Sequence, residues 1–139
     1  MMPELSTIAV GDCLPERNHK PDVVQLFLFN AVIWNPHRIH YDYPYATRTE
    51  DYPAIVIDGP LQADWLAQAV MAWLGEAGRL VSFKYSNRKA AFVGETLYSS
   101  GSIAAINVQT GEVTLSLQVR NEAGKMTTPA TAVVVLPVV

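Results

Sequence analysis

Residues 58–75 read Asp-Gly-Pro-Leu-Gln-Ala-Asp-Trp-Leu-Ala-Gln-Ala-Val-Met-Ala-Trp-Leu-Gly, and this stretch decides the fold of the 139-residue chain. Pro60 suits the first turn of a helix, and Gly75 supplies a stop. Between them, apolar side chains recur on one broad face: Leu61, Trp65, Leu66, Ala69, Val70, Trp73 and Leu74. We therefore predict a helix from Leu61 to Gly75, about four turns long, with one face to bury.

The sequence on both sides of this helix predicts mostly strands. Strand patterns follow it over residues 79–86, 95–108, 113–119 and 131–136, with turn signals at 110–111 and 121–125. Before it, the apolar run predicts a strand over 23–27 and a short helix over 29–34. A helical turn is expected over 43–46 and an extended segment over 52–57. One helix cannot cover both faces of such a sheet, so we expect an α+β fold with a curved antiparallel sheet around the helix, completed by a second copy of the chain.

The length predicts one domain, which we place at residues 21–139 behind an irregular N-terminal arm over residues 1–20. Half of the residues are hydrophobic and 17% are charged, which is apolar for a soluble domain. This surplus is typical of a buried subunit interface or an apolar ligand tunnel, and also of an ordinary rich core.

Charge and cysteine content exclude several classes of protein. The net charge of −3, with no basic run, predicts no nucleic-acid partner. Cys13 is the only cysteine, so the chain cannot form an internal disulfide, which suits a reducing cytoplasm. No charged-then-apolar leader opens the chain, and no uncharged apolar run reaches the roughly 18–20 residues that span a bilayer. We expect a soluble, cytoplasmic protein that makes no contact with a membrane.

Two of the three histidines lie in one short motif, Asn35-Pro36-His37-Arg38-Ile39-His40-Tyr41-Asp42. Pro36 disfavours a helix at the preceding residue, so the motif is predicted to be a loop between apolar flanks, a common place for functional residues. Together with Tyr45-Ala46 and Gly59-Pro60-Leu61-Gln62-Ala63, it resembles the MaoC-like hydratases and dehydratases, in particular the hydroxyacyl-thioester dehydratases with an Asn-x-His-Arg-Ile-His-Tyr-Asp signature. The resemblance is sharp over residues 35–65, loose from there to the end, and absent from residues 1–20.

The resemblance implies a hotdog fold, which is an antiparallel sheet curled around one central helix. It also implies reversible syn addition of water across the α,β double bond of an enoyl thioester carried by coenzyme A or acyl carrier protein, without a cofactor. Such domains usually work as dimers with the acyl chain along the subunit interface. We expect a homodimer or a higher homo-oligomer, and a heterodimer with a second hotdog chain stays open.

The chemistry explains the residue types at two positions. Dehydration removes a proton next to the thioester carbonyl and expels a β-hydroxyl. His40 is the candidate to move that proton, because imidazole titrates near neutrality. Negative charge develops on the thioester oxygen, and a backbone N–H at a helix start can stabilise it. Gly59 is the candidate donor, because it has no side chain to block the approach.

The chain departs from the family pattern at the expected acid. Hydratases of this family pair the catalytic histidine with an aspartate five residues earlier, and here that position is Asn35. If Asn35-Pro36 is matched instead to the Asn-Pro that the family often has between the two, Ile33 takes the place of the acid, which is missing either way. An amide can hold water or the β-hydroxyl but cannot take a proton. Three accounts stay open: His40 acts alone, Asp42 or Asp58 replaces the acid, or the subunit is inactive without a partner. Asp58 itself stands where the family often has a histidine before the glycine.

The remaining candidates are substrate contacts. We place His37, Arg38, Asp42, Tyr45 and Asp58 near the thioester, although Asp42 also suits a cap for the turn that follows it. Lys84, Arg88 and Lys89 form a basic group that can contact the phosphates of the carrier, or can simply be a solvated turn. We expect no metal: His37 and His40 have a suitable spacing, but no motif places a third ligand.

Two other functions remain. A hotdog thioesterase would use a carboxylate near the helix, such as Asp64 or Asp58, but would leave the histidine motif unexplained. A non-catalytic hotdog subunit of a heteromeric hydratase would need a second chain.

Overall fold

Five strands and three α-helices form the part of the chain that the computed structural model describes, residues 2–138. The strands are β1 (Cys13–His19), β2 (Arg79–Tyr85), β3 (Leu97–Asn107), β4 (Glu112–Arg120) and β5 (Met126–Val135). The helices are α1 (Val23–Val32), α2 (Tyr43–Arg48) and α3 (Gly59–Leu74), with a short 3₁₀ helix at Arg38–His40. Within residues 2–138, no helix combines the length and apolar character that a membrane span requires.

The strands form one sheet in the order β1-β3-β4-β5-β2, and every pairing is antiparallel. The helix α3 contacts all five of them. Five strands spaced at about 4.8 Å are wider than a helix of about 10 Å diameter, so the sheet must curl for one helix to reach every strand. This is the α+β hotdog arrangement that the sequence predicted.

The core lies between α3 and the concave face of the sheet. Leu66, Val70 and Leu74 of α3 are fully buried, as the helical periodicity predicted. They meet alternate residues of the strands, among them Leu115, Val119, Ala132 and Val134. The opposite face of β4 carries the polar partners of this alternation, so a register slip of one residue would bury them.

A buried polar contact fixes the start of α3 against the sheet. The Gln62 side-chain oxygen accepts hydrogen bonds from the hydroxyl groups of Thr127 (2.6 Å) and Thr128 (3.0 Å) on β5. Gln62 is only 2% exposed, so these bonds supply partners that water cannot provide. The first turn of α3 therefore has a defined position above the sheet.

The structure corrects two sequence-based predictions. The arm predicted over residues 1–20 is not irregular throughout, since Cys13–His19 form β1 and pair with β3. The strand predicted over 23–27 is wrong, because Val23–Val32 form one helix, whose first turn is capped by Asp22 through a 2.8 Å bond from the Gln25 N–H. The extended segment over 52–57 makes a single isolated bridge, between Val56 and Phe92.

Candidate active site

His40 is buried, and one of its ring nitrogens is committed to the backbone. Its Nδ1 lies 2.8 Å from the carbonyl oxygen of Val56. A carbonyl only accepts hydrogen bonds, so Nδ1 carries the proton. In the neutral ring, Nε2 is then the basic nitrogen. The segment that follows α2 thus sets the tautomer and the direction in which His40 can take a proton.

Nε2 of His40 faces the carboxylate of Asp58 at 3.5 Å, which is longer than a good hydrogen bond. The Asp58 side chain is fully buried, and it is held from two sides. The side-chain amide of Asn30 donates to Oδ1 at 2.9 Å, and that of Asn35 donates to Oδ2 at 3.3 Å. Burial raises the pKa of the Asp58 carboxyl above the ordinary aspartate value, while the Asn30 hydrogen bond and the charge of His40 oppose that rise.

The end of α1 brings the two asparagines together. Trp34 adopts a left-handed backbone conformation (φ 56°) that is rare for a bulky residue. The chain then turns back, and the Asn35 N–H donates to the carbonyl oxygen of Asn30 at 3.0 Å. This closure resembles the Schellman motif that ends many helices. It places both amides beside Asp58.

Asn30 is an unusual core residue. Its amide nitrogen donates to the Leu26 carbonyl at 2.7 Å as well as to Asp58. Both of these neighbours accept hydrogen bonds, so the nitrogen must face them. The remaining oxygen, Oδ1, is buried and has no hydrogen-bond partner among the described residues. Such an oxygen costs about 1–3 kcal/mol, so Asn30 is a poor choice for packing alone.

The start of α3 lies directly after Asp58. Asp58 is the N-cap residue, yet its side chain makes no capping bond, because Asn30, Asn35 and His40 surround it. Pro60 has no N–H, and the first backbone bond of α3 is donated by Gln62. The Gly59 N–H therefore precedes the hydrogen-bonded helix, and its role as a carbonyl-polarising donor stays a prediction. A Cβ at position 59 would overlap the side-chain amide of Asn87, so a larger residue there would require that exposed side chain to move.

The exposed part of the motif pairs its own side chains. Arg38 donates to one Asp42 oxygen from Nε (3.0 Å) and Nη2 (2.8 Å), and lies over the Tyr45 ring at 4.3 Å. Asp42 also caps α2 through a 3.1 Å bond from the Tyr45 N–H. The Arg38 bond lowers the pKa of Asp42 most, and the Tyr45 N–H lowers it further. Asp42 therefore contacts Arg38 rather than His40, and of the two carboxylates proposed to replace the acid, Asp58 is the one beside Nε2.

The other predicted contacts are dispersed. His37 is exposed, accepts a bond from the Ile39 N–H, and its ring centroid is 5.8 Å from that of His40.

Lys84 and Arg88 line a groove of about 740 Å³ on the outer sheet face, and Lys89 is absent from its lining. A smaller, mostly apolar cavity of about 270 Å³ is lined by Phe27, Asn30, Ala31, Trp34, Asn35, Pro36 and Tyr41. In residues 2–138, no three His, Cys, Asp or Glu side chains are grouped to hold a metal ion.

Three residues of the site were not predicted. Asn30 interrupts an apolar run, and that interruption was the available signal. The Val56 carbonyl and the Asn87 side chain carry no sequence signal, because backbone groups are common to all residues and Asn87 lies in an ordinary polar turn. Their roles depend on packing between distant segments.

A curled sheet around one helix, with a histidine motif beside the helix start, defines a hotdog domain with a candidate acyl-thioester site. The chain matches the family model for hydroxyacyl-thioester dehydratase type 2 over residues 9–93 and belongs to that family. Because the match begins before β1, it includes part of the segment that the sequence assigned to an arm.

A curated relative and several solved structures are similar to this chain. A mesaconyl-C(4)-CoA hydratase from Chloroflexus aurantiacus is 56% identical over 43 residues, which span 31% of this chain and only 15% of that relative. The structure of an (R)-hydratase from A. caviae involved in PHA biosynthesis aligns with a TM-score of 0.87 at 20% identity, covering 94% of this chain and 98% of that one. The ChsH1-ChsH2 complex from Mycobacterium tuberculosis aligns with a TM-score of 0.82 at 19% identity, covering 93% and 98%. These structural similarities confirm the fold.

Proposed function

We propose that this protein is a hydro-lyase that adds water to, or removes it from, a 2-enoyl or 3-hydroxyacyl thioester of coenzyme A or acyl carrier protein. The observation that carries the proposal is the state of His40. The bond from Nδ1 to Val56 leaves Nε2 as the base, and His40 lies within residues 9–93, which match the model for hydroxyacyl-thioester dehydratase type 2.

The reaction balances with one histidine. In the hydration direction, Nε2 takes a proton from water as the water oxygen bonds to Cβ. The electron pair of the double bond moves toward the thioester, and negative charge develops on its oxygen near the Gly59 N–H. Nε2 then returns the same proton to Cα, so one water is added and His40 is restored. Dehydration follows the same steps in reverse.

Asn35 has a secondary part in this proposal. Its Oδ1 accepts a bond from the His37 N–H at 3.2 Å, and its Nδ2 donates to Asp58. One N–H of the amide is left, which can hold the water or the β-hydroxyl but cannot accept a proton. We propose that Asn35 orients the reacting oxygen, while His40 moves the proton.

The substrate is expected to have an apolar acyl part and a phosphate-bearing carrier. The apolar cavity between Phe27 and Tyr41 has Asn30 and Asn35 on its wall, so it adjoins the Asp58 cluster and is the proposed place for the acyl group. Lys84 and Arg88 are the proposed contacts for carrier phosphates. The cytoplasmic location stays a prediction.

We propose that a second copy of this chain covers α1. The helix leaves a contiguous set of large apolar side chains exposed: Val23, Val24, Phe27, Leu28, Val32, Ile33 and Trp34. Patches of this kind mark interaction sites. Light scattering after size exclusion should give the mass of two chains for the wild type and of one chain for Phe27→Glu/Val32→Glu. A wild type that gains mass only with a second hotdog chain would instead support the heteromeric alternative.

The test of the activity follows the loss of the ultraviolet band of the enoyl thioester, with crotonyl-coenzyme A as the first substrate. The wild type should consume the band, and His40→Ala should be slower by about 100-fold or more with an unchanged melting curve. Equal rates for both proteins would contradict the role of His40. Inactive wild type on short, long and carrier-protein-bound enoyl groups would contradict the hydro-lyase proposal for the isolated chain.

The thioesterase alternative has less support. Asp64 is exposed and accepts a hydrogen bond from Gln68, while Asp58 is closed off from solvent by its amide partners. Free thiol released from a saturated acyl-coenzyme A, detected with a thiol reagent, would be the result that favours it.

A further inference from the structure

The acid expected five residues before His40 is replaced by an amide, but the structure contains another carboxylate at the same imidazole. We propose that Asp58 is the carboxylate partner of His40, positioned by Asn30 and Asn35, and that it stabilises the imidazolium formed when Nε2 takes a proton. This inference rests on the proposed hydro-lyase function and assigns a residue that the family pattern would place elsewhere.

The geometry gives Asp58 an indirect role. Its side chain has no exposed surface, whereas a tenth of the His40 side chain is exposed, so the imidazole is the more accessible of the two groups. The separation of 3.5 Å between Nε2 and Oδ2 leaves Nε2 free to accept a proton from a reacting group. Once protonated, Nε2 lies beside a negative charge in a site that water does not screen. Asp58 is therefore a positioning residue that acts through His40.

The two asparagines keep Asp58 ready for this role. Each carboxylate oxygen receives one amide donor, from Asn30 on Oδ1 and from Asn35 on Oδ2. Donors to the ionised form favour the anion and oppose the effect of burial. Asn30 leaves its own oxygen buried without a partner among the described residues, so its contribution lies in donating to Asp58 and Leu26 rather than in packing.

Few titratable groups lie near the cluster formed by Asp58, His40, Asn30 and Asn35. Asp58 faces Asn30 from α1 and Asn35 and His40 from the motif, and His37 is the other titratable group next to His40. On α3, the carboxylate of Asp64 is exposed and bonded to Gln68. A pH profile of the reaction should therefore report mainly on this buried cluster, and Asp58 is the carboxylate in it.

The first experiment compares Asp58→Asn with the wild type, using Asp51→Asn as the matched control. Asp51 is exposed and has a left-handed backbone conformation (φ 57°), which asparagine tolerates. Asp58→Asn should lower kcat by about 100-fold or more, with KM within roughly threefold, while Asp51→Asn keeps both values. A wild-type kcat in folded Asp58→Asn would overturn the proposal.

Milder variants give a readout that loss of packing would not mimic. Asn35→Ala removes one donor to the Asp58 anion, so the acid limb of the kcat/KM profile should move to higher pH. Asn30→Ala should move it further, because its bond to Asp58 is shorter. Equal losses at every pH, with no movement of the limb, would show that the asparagines are merely structural.

A titration that needs no turnover separates this inference from the proposed function. Carbon-13 NMR follows the Asp58 carboxyl, assigned by its absence in Asp58→Asn. Its pKa should lie above the ordinary aspartate range, and it should rise further in His40→Ala, because a cation that stabilises the anion is lost. An unmoved titration overturns the pairing even if the enzyme is active. If the Asp58 titration moves in His40→Ala but the wild type hydrates no thioester, the proposed function is overturned and the pairing of Asp58 with His40 is not.

Discussion

Two carboxylates lie beside basic side chains of the same motif, and their surroundings are opposite. Asp42 and Arg38 form an exposed ion pair with two bonds to one oxygen, and Arg38 is further held over Tyr45. Asp58 and His40 are buried, and they stop short of a good hydrogen bond with each other. The exposed pair joins two residues of one loop. The buried pair keeps Nε2 unbonded in a site of low dielectric, where a proton transfer changes the energy most.

The largest expected effect is on activity and concerns Gly59, which joins Asp58 of the buried pair to α3. Gly59→Ala should lower kcat/KM by about 100-fold, because a methyl group there takes the place of the Asn87 side-chain amide, and either that amide or the start of the helix must then move beside the reacting group. The backbone N–H is still present in this variant. Gly59→Ala/Asn87→Ala should therefore recover most of the activity, with Asn87→Ala alone as the control. A double variant as slow as the single one would show that relief of this overlap is not sufficient.

The next effect concerns stability in the buried half. Asn30→Ala removes a 2.9 Å donor to a buried carboxylate and a 2.7 Å donor to the Leu26 carbonyl. The free energy of unfolding near pH 8 should fall by about 1.5–3 kcal/mol, as for hydrogen bonds to charged groups. Urea denaturation measures it, and exposed Asn18→Ala on β1 is the control, expected to stay within about 0.5 kcal/mol. A loss no larger than that of the control would mean that water or a neighbour replaces the amide.

The buried carboxylate of Asp58 should make the free energy of unfolding depend on pH. Burial raises the pKa of Asp58 in the folded protein, so the folded state binds its proton more tightly than the unfolded state. The contribution of Asp58 to stability is fully present below its unfolded pKa and is lost as the pH rises through the folded value. Each unit of difference corresponds to about 1.4 kcal/mol. The stability of Asp58→Asn minus that of the wild type should therefore increase from pH 4 to pH 8, and a constant difference would contradict the raised pKa.

The central helix and the four strands after it were predictable because their apolar side chains repeat with clear periods. The region before the helix was harder. The run from Val23 to Trp34 is so uniformly apolar that its period was ambiguous, and the cap formed by Asp22 with Gln25 was the signal that favoured one helix. β5 begins at Met126, five residues before the predicted start at Thr131. Pro129 and Ala130 are disfavoured in strands, and they masked its first half.

The candidate site was predictable only in part. His40 and Gly59 were identified from the motif, but the partner of His40 could not be chosen among Asp42, Asp58 and none. Asp42 is close to His40 in sequence, and Asp58 is distant. The choice depends on how α1 packs against the start of α3, which brings Asn30 and Asn35 to Asp58 and leaves Asp42 with Arg38. Sequence spacing does not encode that packing.

The smallest expected effect concerns the exposed pair. Asp42→Asn keeps a side chain that caps α2 as well as aspartate does, so it removes mainly the ion pair with Arg38. An exposed pair contributes little to stability, and salt screens it. The melting temperature should fall slightly at low salt and match the wild type in about 1 M salt. A large fall in melting temperature that does not depend on salt would show that Asp42 stabilises the fold by more than its ion pair with Arg38. Solvent exposure would then not explain the difference between Asp42 and Asp58.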